Sequence, residues 1–235
     1  KPDYVEAYNN LGIVLYEIGR LEEAEVNFRK AIDVKSDFAE AHNNLANMLK
    51  ELNKTDEAVE SYKKAIEAKP DYAQAYMNLS IIQLKFNKFD DVEKNYKKVI
   101  KLDPNNGSAY YNLANMLQEL GRLDEAVESY RLSLTLKSKF TDILLRLSRC
   151  LTFLYKAEEA IEHLENLLKE DKIDREFYIR LPLALLKFST GDITGSRELF
   201  LTYYKSLKEK NDFVNNNGKN FWVWLKFLLD WHSHE

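Results

Sequence analysis

Asparagine recurs along the chain at a spacing and in a setting that suggest hydrogen-bond chemistry. Asn10, Asn44, Asn78 and Asn112 are separated by 34 residues each. A carboxamide carries an acceptor oxygen and a donor amide, so it can pair with both polar groups of an extended peptide backbone. Asparagine is a poor helix former, yet the leucine and alanine spacing around each of these residues is helical. The placement therefore indicates a polar role that outweighs a small cost in helix propensity.

Signals for catalytic or metal chemistry are weak. The chain contains no glycine-rich phosphate loop, Cys-x-x-Cys, His-Glu-x-x-His or nucleophile elbow. His232 and His234 precede Glu235, a pattern that we interpret as incidental rather than as a metal site. Cys150 is interpreted as a small buried hydrophobe, with Arg149 as a neighbour that could lower its pKa. The sequence predicts no enzymatic activity and no cofactor.

Composition narrows the class of protein and of partner. The 235 residues are 45% hydrophobic and 31% charged, with a net charge of −4, which gives no reason to expect nucleic acid or an anionic membrane as partner. A single cysteine excludes an intrachain disulfide and fits a reducing, cytoplasmic location. The richest apolar stretch, at 221–229, is too short to span a bilayer. Because the chain begins with Lys1, we expect it to be a processed chain or an excised fragment.

Internal repeats must position the asparagines. A leucine recurs every 34 residues at Leu11, Leu45, Leu79, Leu113, Leu147 and Leu181. Small residues follow it at Gly12, Ala46, Ser80, Ala114 and Ser148, and a second small class is Ala24, Ala58, Val92, Ala126 and Ala160. Aromatic residues recur at Phe28, Tyr62, Tyr96 and Tyr130. Residues that tolerate a positive φ stand where a first helix should end, at Gly19, Asn53, Asn87 and Gly121.

This pattern resembles the tetratricopeptide repeat, a helix–turn–helix unit of 34 residues. The resemblance implies an all-α, right-handed α-α superhelix, in which stacked units bury faces that one unit cannot cover alone. The predicted solenoid spans 1–207, with repeats at 5–38, 39–72, 73–106, 107–140 and 141–174 and a degenerate repeat at 175–207. Pro182 replaces the small residue of that last repeat, so its first helix is either kinked or begins late.

The resemblance also implies which residues line a concave groove. The first helix of each repeat lines it, so the asparagine column is similar to the asparagine ladder in the repeat domain of O-linked N-acetylglucosamine transferase. The groove residues expected on this basis are Asn10, Asn43, Asn44, Asn47, Asn78, Tyr111, Asn112 and Asn115. An alternative is that these asparagines serve contacts between repeats.

Arginines replace asparagine beyond the fourth repeat. Arg146 and Arg180 take the asparagine position, and Arg149 lies three residues after Arg146, on the same helix face. A guanidinium group binds carboxylates in a fork geometry, so we expect these residues to contact an acidic residue or a chain terminus of a ligand. The alternative is an ion pair with a local acid such as Asp142.

The last residues form a separate segment in this interpretation. Residues 208–220 are predicted to be a loop and 221–235 a capping helix. All three tryptophans, Trp222, Trp224 and Trp231, fall in that helix. The helix is expected to cover the core of the last repeat. It could instead fold into the groove, mediate self-association or touch a membrane, the last being disfavoured by its lack of a basic face.

The repeats together predict a scaffold for protein–protein interaction that binds an extended peptide or partner segment in its groove. Two alternatives stay open. The chain could be the substrate-recognition arm of a larger enzyme such as a glycosyltransferase, or a structural module that self-assembles.

Overall fold

The computed structural model describes residues 3–136, 140–169 and 176–209. In these ranges the chain is helical throughout, with twelve helices and no strand. They are α1 Asp3–Glu17, α2 Leu21–Val34, α3 Ala39–Glu51, α4 Thr55–Ala68, α5 Ala73–Lys85, α6 Phe89–Leu102, α7 Gly107–Glu119, α8 Leu123–Thr135, α9 Phe140–Phe153, α10 Ala157–Lys169, α11 Glu176–Ser189 and α12 Ile193–Glu209. The chain divides into two compact units, one up to Leu113 and the other from Ala114 onwards. Each unit is described separately below.

Tight turns join the two helices of each pair, and their geometry follows the prediction. Gly19, Asn53, Asn87 and Gly121 all have φ between 55° and 78°, so the expected positive φ is confirmed at all four. At the first turn the amide of Arg20 donates to the carbonyl of Leu15 over 2.8 Å, and that of Gly19 to Tyr16 over 3.0 Å. These two bonds define a Schellman motif, which satisfies carbonyls that the helix end leaves open.

The sequence pattern did not predict the turn between α9 and α10. Tyr155 has a φ of 57° and makes the same backbone bond as Gly19, from its amide to the carbonyl of Thr152 over 3.1 Å. Its side chain is 94% exposed. The turn geometry is therefore imposed by the two helices it joins, at a residue type that rarely adopts it.

Acidic residues occupy the first turn of the second helix in the first five pairs, but not in α12. No side chain forms an N-cap hydrogen bond at the start of α2, α4, α6 or α8. Two carboxylates stand in the first turn instead, as with Glu22 and Glu23 in α2 and Asp56 and Glu57 in α4. Their negative charge interacts favourably with the helix macrodipole and stabilises these helix starts.

The core of the first unit lies between the helix pairs. Ala24, Ala46 and Ala58 are fully buried, which lets neighbouring helices approach closely. Phe28 and Tyr62 fill the space between them in the same cluster. The small and aromatic classes of the repeat thus form a continuous apolar layer.

The second unit contains the degenerate repeat. Helix α11 begins at Glu176 and continues through Pro182, so of the two predicted alternatives, a kink or a late start, the late start is wrong. Ala184 on α11 packs against Phe200 on α12. The buried hydroxyl of Ser196 donates to the carbonyl of Ala184 over 2.8 Å and ties the two helices together.

The predicted C-terminal segment lies mostly outside the described residues. Helix α12 ends at Glu209 and includes the first residues of the predicted loop. The predicted capping helix and its three tryptophans belong to the part that the structure does not describe. Among the described helices, none has the length and apolar content needed to cross a bilayer.

Candidate peptide-binding surface

The four periodic asparagines lie on the first helices of successive pairs, α1, α3, α5 and α7, but in different environments. Asn10 is exposed, Asn44 and Asn112 are half-buried, and Asn78 is only 8% exposed. The same helix position thus carries different exposure along the first unit, which the repeat pattern alone does not reveal.

Two of these asparagines bind the preceding repeat. The side-chain amide of Asn44 donates to Oδ1 of Asn9 over 3.0 Å. The side-chain amide of Asn78 donates to Oδ1 of Asn43 over 3.1 Å. In both pairs the acceptor lies 35 residues earlier, on the preceding first helix. The first asparagine of each Asn–Asn dipeptide, Asn9 or Asn43, is thus the acceptor for the periodic asparagine of the next repeat, and these hydrogen bonds join successive repeats.

Asn78 is the centre of a larger polar cluster. Its amide also lies 3.1 Å from Oδ1 of Asn47, and its own Oδ1 accepts from Gln74 over 2.9 Å. Asn47 accepts in addition from the hydroxyl of Tyr62 over 2.6 Å. Asn43 is 3% exposed, so the cluster satisfies polar atoms that water does not readily reach.

Asn112 and Asn10 differ from the other two. Met77 occupies the acceptor position in the repeat before Asn112, and a thioether offers only a weak acceptor. Within the described residues, the side chains of Asn112 and Asn10 make no hydrogen bond to the protein. Asn44 donates one amide hydrogen to Asn9, and its other amide hydrogen and its carbonyl oxygen make no hydrogen bond within the described residues. The first unit therefore offers open carboxamide groups at three of the four predicted positions.

Asn47 and Asn115 accept hydrogen bonds from tyrosines of their own repeats. The hydroxyl of Tyr130 lies 2.6 Å from Oδ1 of Asn115 and 2.7 Å from Oε1 of Gln118. Tyr62 and Tyr130 are fully buried, so each amide satisfies a hydroxyl at the core boundary. The sequence carries only a partial signal for this pairing. The first repeat has Ile13 and Phe28 at the two positions, without a donor or an acceptor, but the third repeat combines Ile81 with Tyr96.

A further link between first helices was not predicted. The hydroxyl of Tyr16 on α1 donates to Oε1 of Glu51 on α3. Burial, followed by the hydrogen bond and charge of Glu51, raises the pKa of Tyr16 to about 12. Tyr16 stays protonated as a donor at neutral pH. Tyr111, a predicted groove residue, is 7% exposed and so presents little surface.

The predicted arginines lie in the second unit. Nε of Arg146 donates to Oδ2 of Asp142 over 3.0 Å, which is the local ion pair considered as the alternative. Arg149 is exposed and Arg180 is half-buried. The role of these residues in binding a carboxylate stays a prediction.

Cys150 is a buried thiol. Burial raises its pKa and outweighs the opposite effect of Arg149 and Arg146, so the thiolate that reacts or binds metal is disfavoured. The interpretation of Cys150 as a buried hydrophobe is confirmed. In the part of the chain that the structure describes, no cluster of His, Cys, Asp or Glu could hold a metal ion. His232 and His234 lie outside that part.

Helix pairs joined by Schellman turns, repeating every 34 residues with a shared small–aromatic core, define an α-helical repeat protein. Family models described as tetratricopeptide repeat match residues 39–72, 73–106 and 95–128, and one described as TPR repeat matches 14–52. The chain is a tetratricopeptide-repeat protein, and the predicted all-α TPR solenoid fold is confirmed. A comparison with curated protein sequences found no significant match.

Solved structures show the same fold. PilF of Pseudomonas aeruginosa is 19% identical, with a TM-score of 0.66 over 90% of this chain and 93% of that one. MamA is 19% identical, with a TM-score of 0.63 over 72% of this chain and 92% of that one. YrrB, described as a TPR protein with an unusual peptide-binding site, is 19% identical, with a TM-score of 0.62 over 79% and 93% of the two chains. At these identities the likeness concerns the fold.

Proposed function

We propose that the chain is a protein-interaction scaffold and that its first unit binds an extended peptide segment along the first helices. The observation that carries the proposal is that the side chains of Asn10 and Asn112 make no hydrogen bond within the described residues. Both carboxamides offer a donor and an acceptor to a ligand backbone. The similarity to YrrB, itself described as having a peptide-binding site, supports the same class of ligand.

The roles of the asparagines differ in this proposal. Asn10, Asn44 and Asn112 contact the ligand, Asn44 through the groups that Asn9 leaves open. Asn78, with Asn43 and Asn47, holds neighbouring repeats in register, so that the contacting amides keep their spacing. A ligand that follows the backbone of an extended peptide would pair with these amides whatever its own sequence.

Selection from a random peptide library displayed on phage provides a test, with the 235-residue chain as bait. Affinities of enriched peptides are then measured by fluorescence anisotropy for the wild type and the Asn10→Ala/Asn112→Ala double variant. Each lost hydrogen bond contributes about 0.5–1.5 kcal/mol, so we expect binding to weaken about 10-fold.

A control variant separates ligand contact from a general effect of removing asparagine. Asn27 lies on the second helix α2, where its amide donates to the carbonyl of Glu23 of the same helix over 2.8 Å. Asn27→Ala should leave peptide affinity unchanged. Equal affinity for the wild type and the Asn10→Ala/Asn112→Ala variant would refute the proposal.

A further inference from the structure

Helix α5 comes between the two first helices α3 and α7, whose Asn44 and Asn112 are proposed to contact the ligand backbone. Asn78, at the equivalent position of α5, is 8% exposed and donates its amide to Asn43. It therefore offers no open carboxamide between the other two. A ligand that follows the first helices must meet different side chains where it crosses α5.

Apolar side chains are available there. Met77 and Ile81 lie four residues apart on α5 and so share a helix face. Ile81 is 41% exposed and Met77 is half-buried. At the same two positions α3 carries Asn43 and Asn47, which both accept hydrogen bonds from Asn78. The third repeat thus has an apolar pair, the Met77–Ile81 patch, where the second repeat has two hydrogen-bonding groups.

A lysine extends the same face of α5. Lys85 follows Ile81 by four residues, is exposed and makes no ion pair with another described residue. The other three of the first four repeats carry a glutamate at this position, namely Glu17, Glu51 and Glu119. The face of α5 therefore combines an apolar patch with a positive charge one helical turn away, and it complements an apolar side chain that has an acidic neighbour.

The distance between first helices fits an extended ligand. The hydrogen bond from Asn78 to Asn43 shows that α3 and α5 are neighbours, and packed helices lie about 8–10 Å apart. An extended peptide advances about 3.3 Å per residue. The ligand residue that faces the Met77–Ile81 patch therefore comes about three residues from the one that pairs with Asn44.

We propose that the Met77–Ile81 patch and Lys85 select the ligand. It is an extended peptide with a leucine or phenylalanine packed on the patch and an acidic residue next to it, close to Lys85. This inference rests on the proposed function and adds its specificity. Backbone pairing holds any extended segment, whereas removing apolar surface from water favours segments of this class. A basic residue beside the apolar one is disfavoured by the charge of Lys85.

Ile81→Asn is the variant for a test because the repeat accommodates asparagine at this position. Asn47 occupies it in the second repeat and accepts a hydrogen bond from Tyr62, and Tyr96 stands at the position of Tyr62 in the third repeat. The thermal unfolding midpoint of the variant should therefore not fall below that of the wild type. Val26→Asn is the matched control, since Val26 is 50% exposed on the second helix α2.

Peptides selected from the phage library with the 235-residue chain serve as probes in fluorescence anisotropy. Each is measured with its apolar residue intact and with that residue replaced by alanine. The replacement should weaken binding about 10-fold in the wild type and in Val26→Asn, but less than about 3-fold in Ile81→Asn. Lys85→Gln should weaken binding of peptides with the acidic residue about 2- to 5-fold at low salt, and leave peptides with glutamine there unchanged.

The outcomes distinguish this inference from the proposed function. The inference alone is overturned if binding depends on Asn10 and Asn112 but the alanine replacement has the same effect in the wild type and in Ile81→Asn. Selected peptides with a basic residue in place of the acidic one would also overturn it. Peptides whose affinity is independent of Asn10 and Asn112 would refute the proposed function and this inference together.

Discussion

Replacing Asn78 with alanine tests whether the buried asparagine cluster holds the repeats together. The change removes the donor to Asn43 and Asn47 and the acceptor of Gln74. Gln74 is exposed and can bond to water instead, and Asn47 still accepts a hydrogen bond from the hydroxyl of Tyr62. Asn43 is 3% exposed and loses the only hydrogen bond that its oxygen receives from the described residues.

The free-energy cost of Asn78→Ala therefore comes mainly from the oxygen of Asn43, which loses its partner. The lost hydrogen bonding costs about 1 kcal/mol, and the stranded oxygen of Asn43 about 1–3 kcal/mol more. Alanine returns about 0.5 kcal/mol through its higher helix propensity. We expect Asn78→Ala to lower the free energy of unfolding by about 2 kcal/mol. Asn112→Ala, which breaks no hydrogen bond to the described residues, should change it by less than about 0.5 kcal/mol.

Urea unfolding followed by far-UV circular dichroism measures these differences from the midpoints at constant slope. Because repeat arrays can lose cooperativity, hydrogen exchange of the α3 and α5 amides supplies a local readout. In the Asn43→Ala background, Asn78→Ala should cost at least about 1 kcal/mol less than in the wild type. Equal losses in the two backgrounds, or equal effects of Asn78→Ala and Asn112→Ala, would refute the cluster as a link between repeats.

Three further predictions concern conformation, packing and pH. Tyr155→Gly should stabilise the chain by about 1 kcal/mol because glycine adopts its positive φ without strain, whereas Gly121→Tyr should destabilise it by a similar amount in thermal unfolding. A Cβ on Gly12 would lie 2.6 Å from the ring of Phe28, so Gly12→Ala should lower the free energy of unfolding by about 1–3 kcal/mol. Combining it with Phe28→Leu should reduce the cost of Gly12→Ala, because the smaller side chain makes room for the methyl group. Additive effects of the two substitutions would contradict the contact. Burial raises the pKa of Tyr96 to about 12, so the protonated hydroxyl stabilises the fold fully below pH 10, and this stabilisation is lost as the pH rises to 12. Between pH 9 and pH 12 the free energy of unfolding, measured by urea titration, should therefore fall by about 2 kcal/mol less in Tyr96→Phe than in the wild type. An equal fall in the two proteins would contradict this prediction.

Some features were predictable because they depend on local chemistry. Gly19 and Asn53 stand where the chain must adopt a positive φ, and glycine and asparagine are the residues that tolerate it. Tyr155 escaped prediction because the helices on either side impose the same turn on a residue that does not favour it. At Pro182 the sequence allowed a kinked helix or a late start, and in the structure helix α11 continues through this residue.

The roles of the asparagines depended on neighbours that a single repeat does not contain. Asn78 and Asn112 occupy equivalent positions on the first helices α5 and α7. Asn78 binds Asn43, whereas Met77 stands at the position equivalent to Asn43 in the repeat before Asn112. The difference arises from the residue one repeat earlier, so it follows from the pairing of helices rather than from the local sequence.

The sequence by itself determined the helix–turn–helix repeat, its period and the identity of its core positions, because these follow from short-range periodicity and from residues suited to turns. Only the tertiary structure decided which carboxamides are used between repeats and which stay open. Hydrogen bonding and exposure depend on which atoms stacking brings within a few ångströms, and equivalent positions in the repeat acquire different partners when the neighbouring repeat differs.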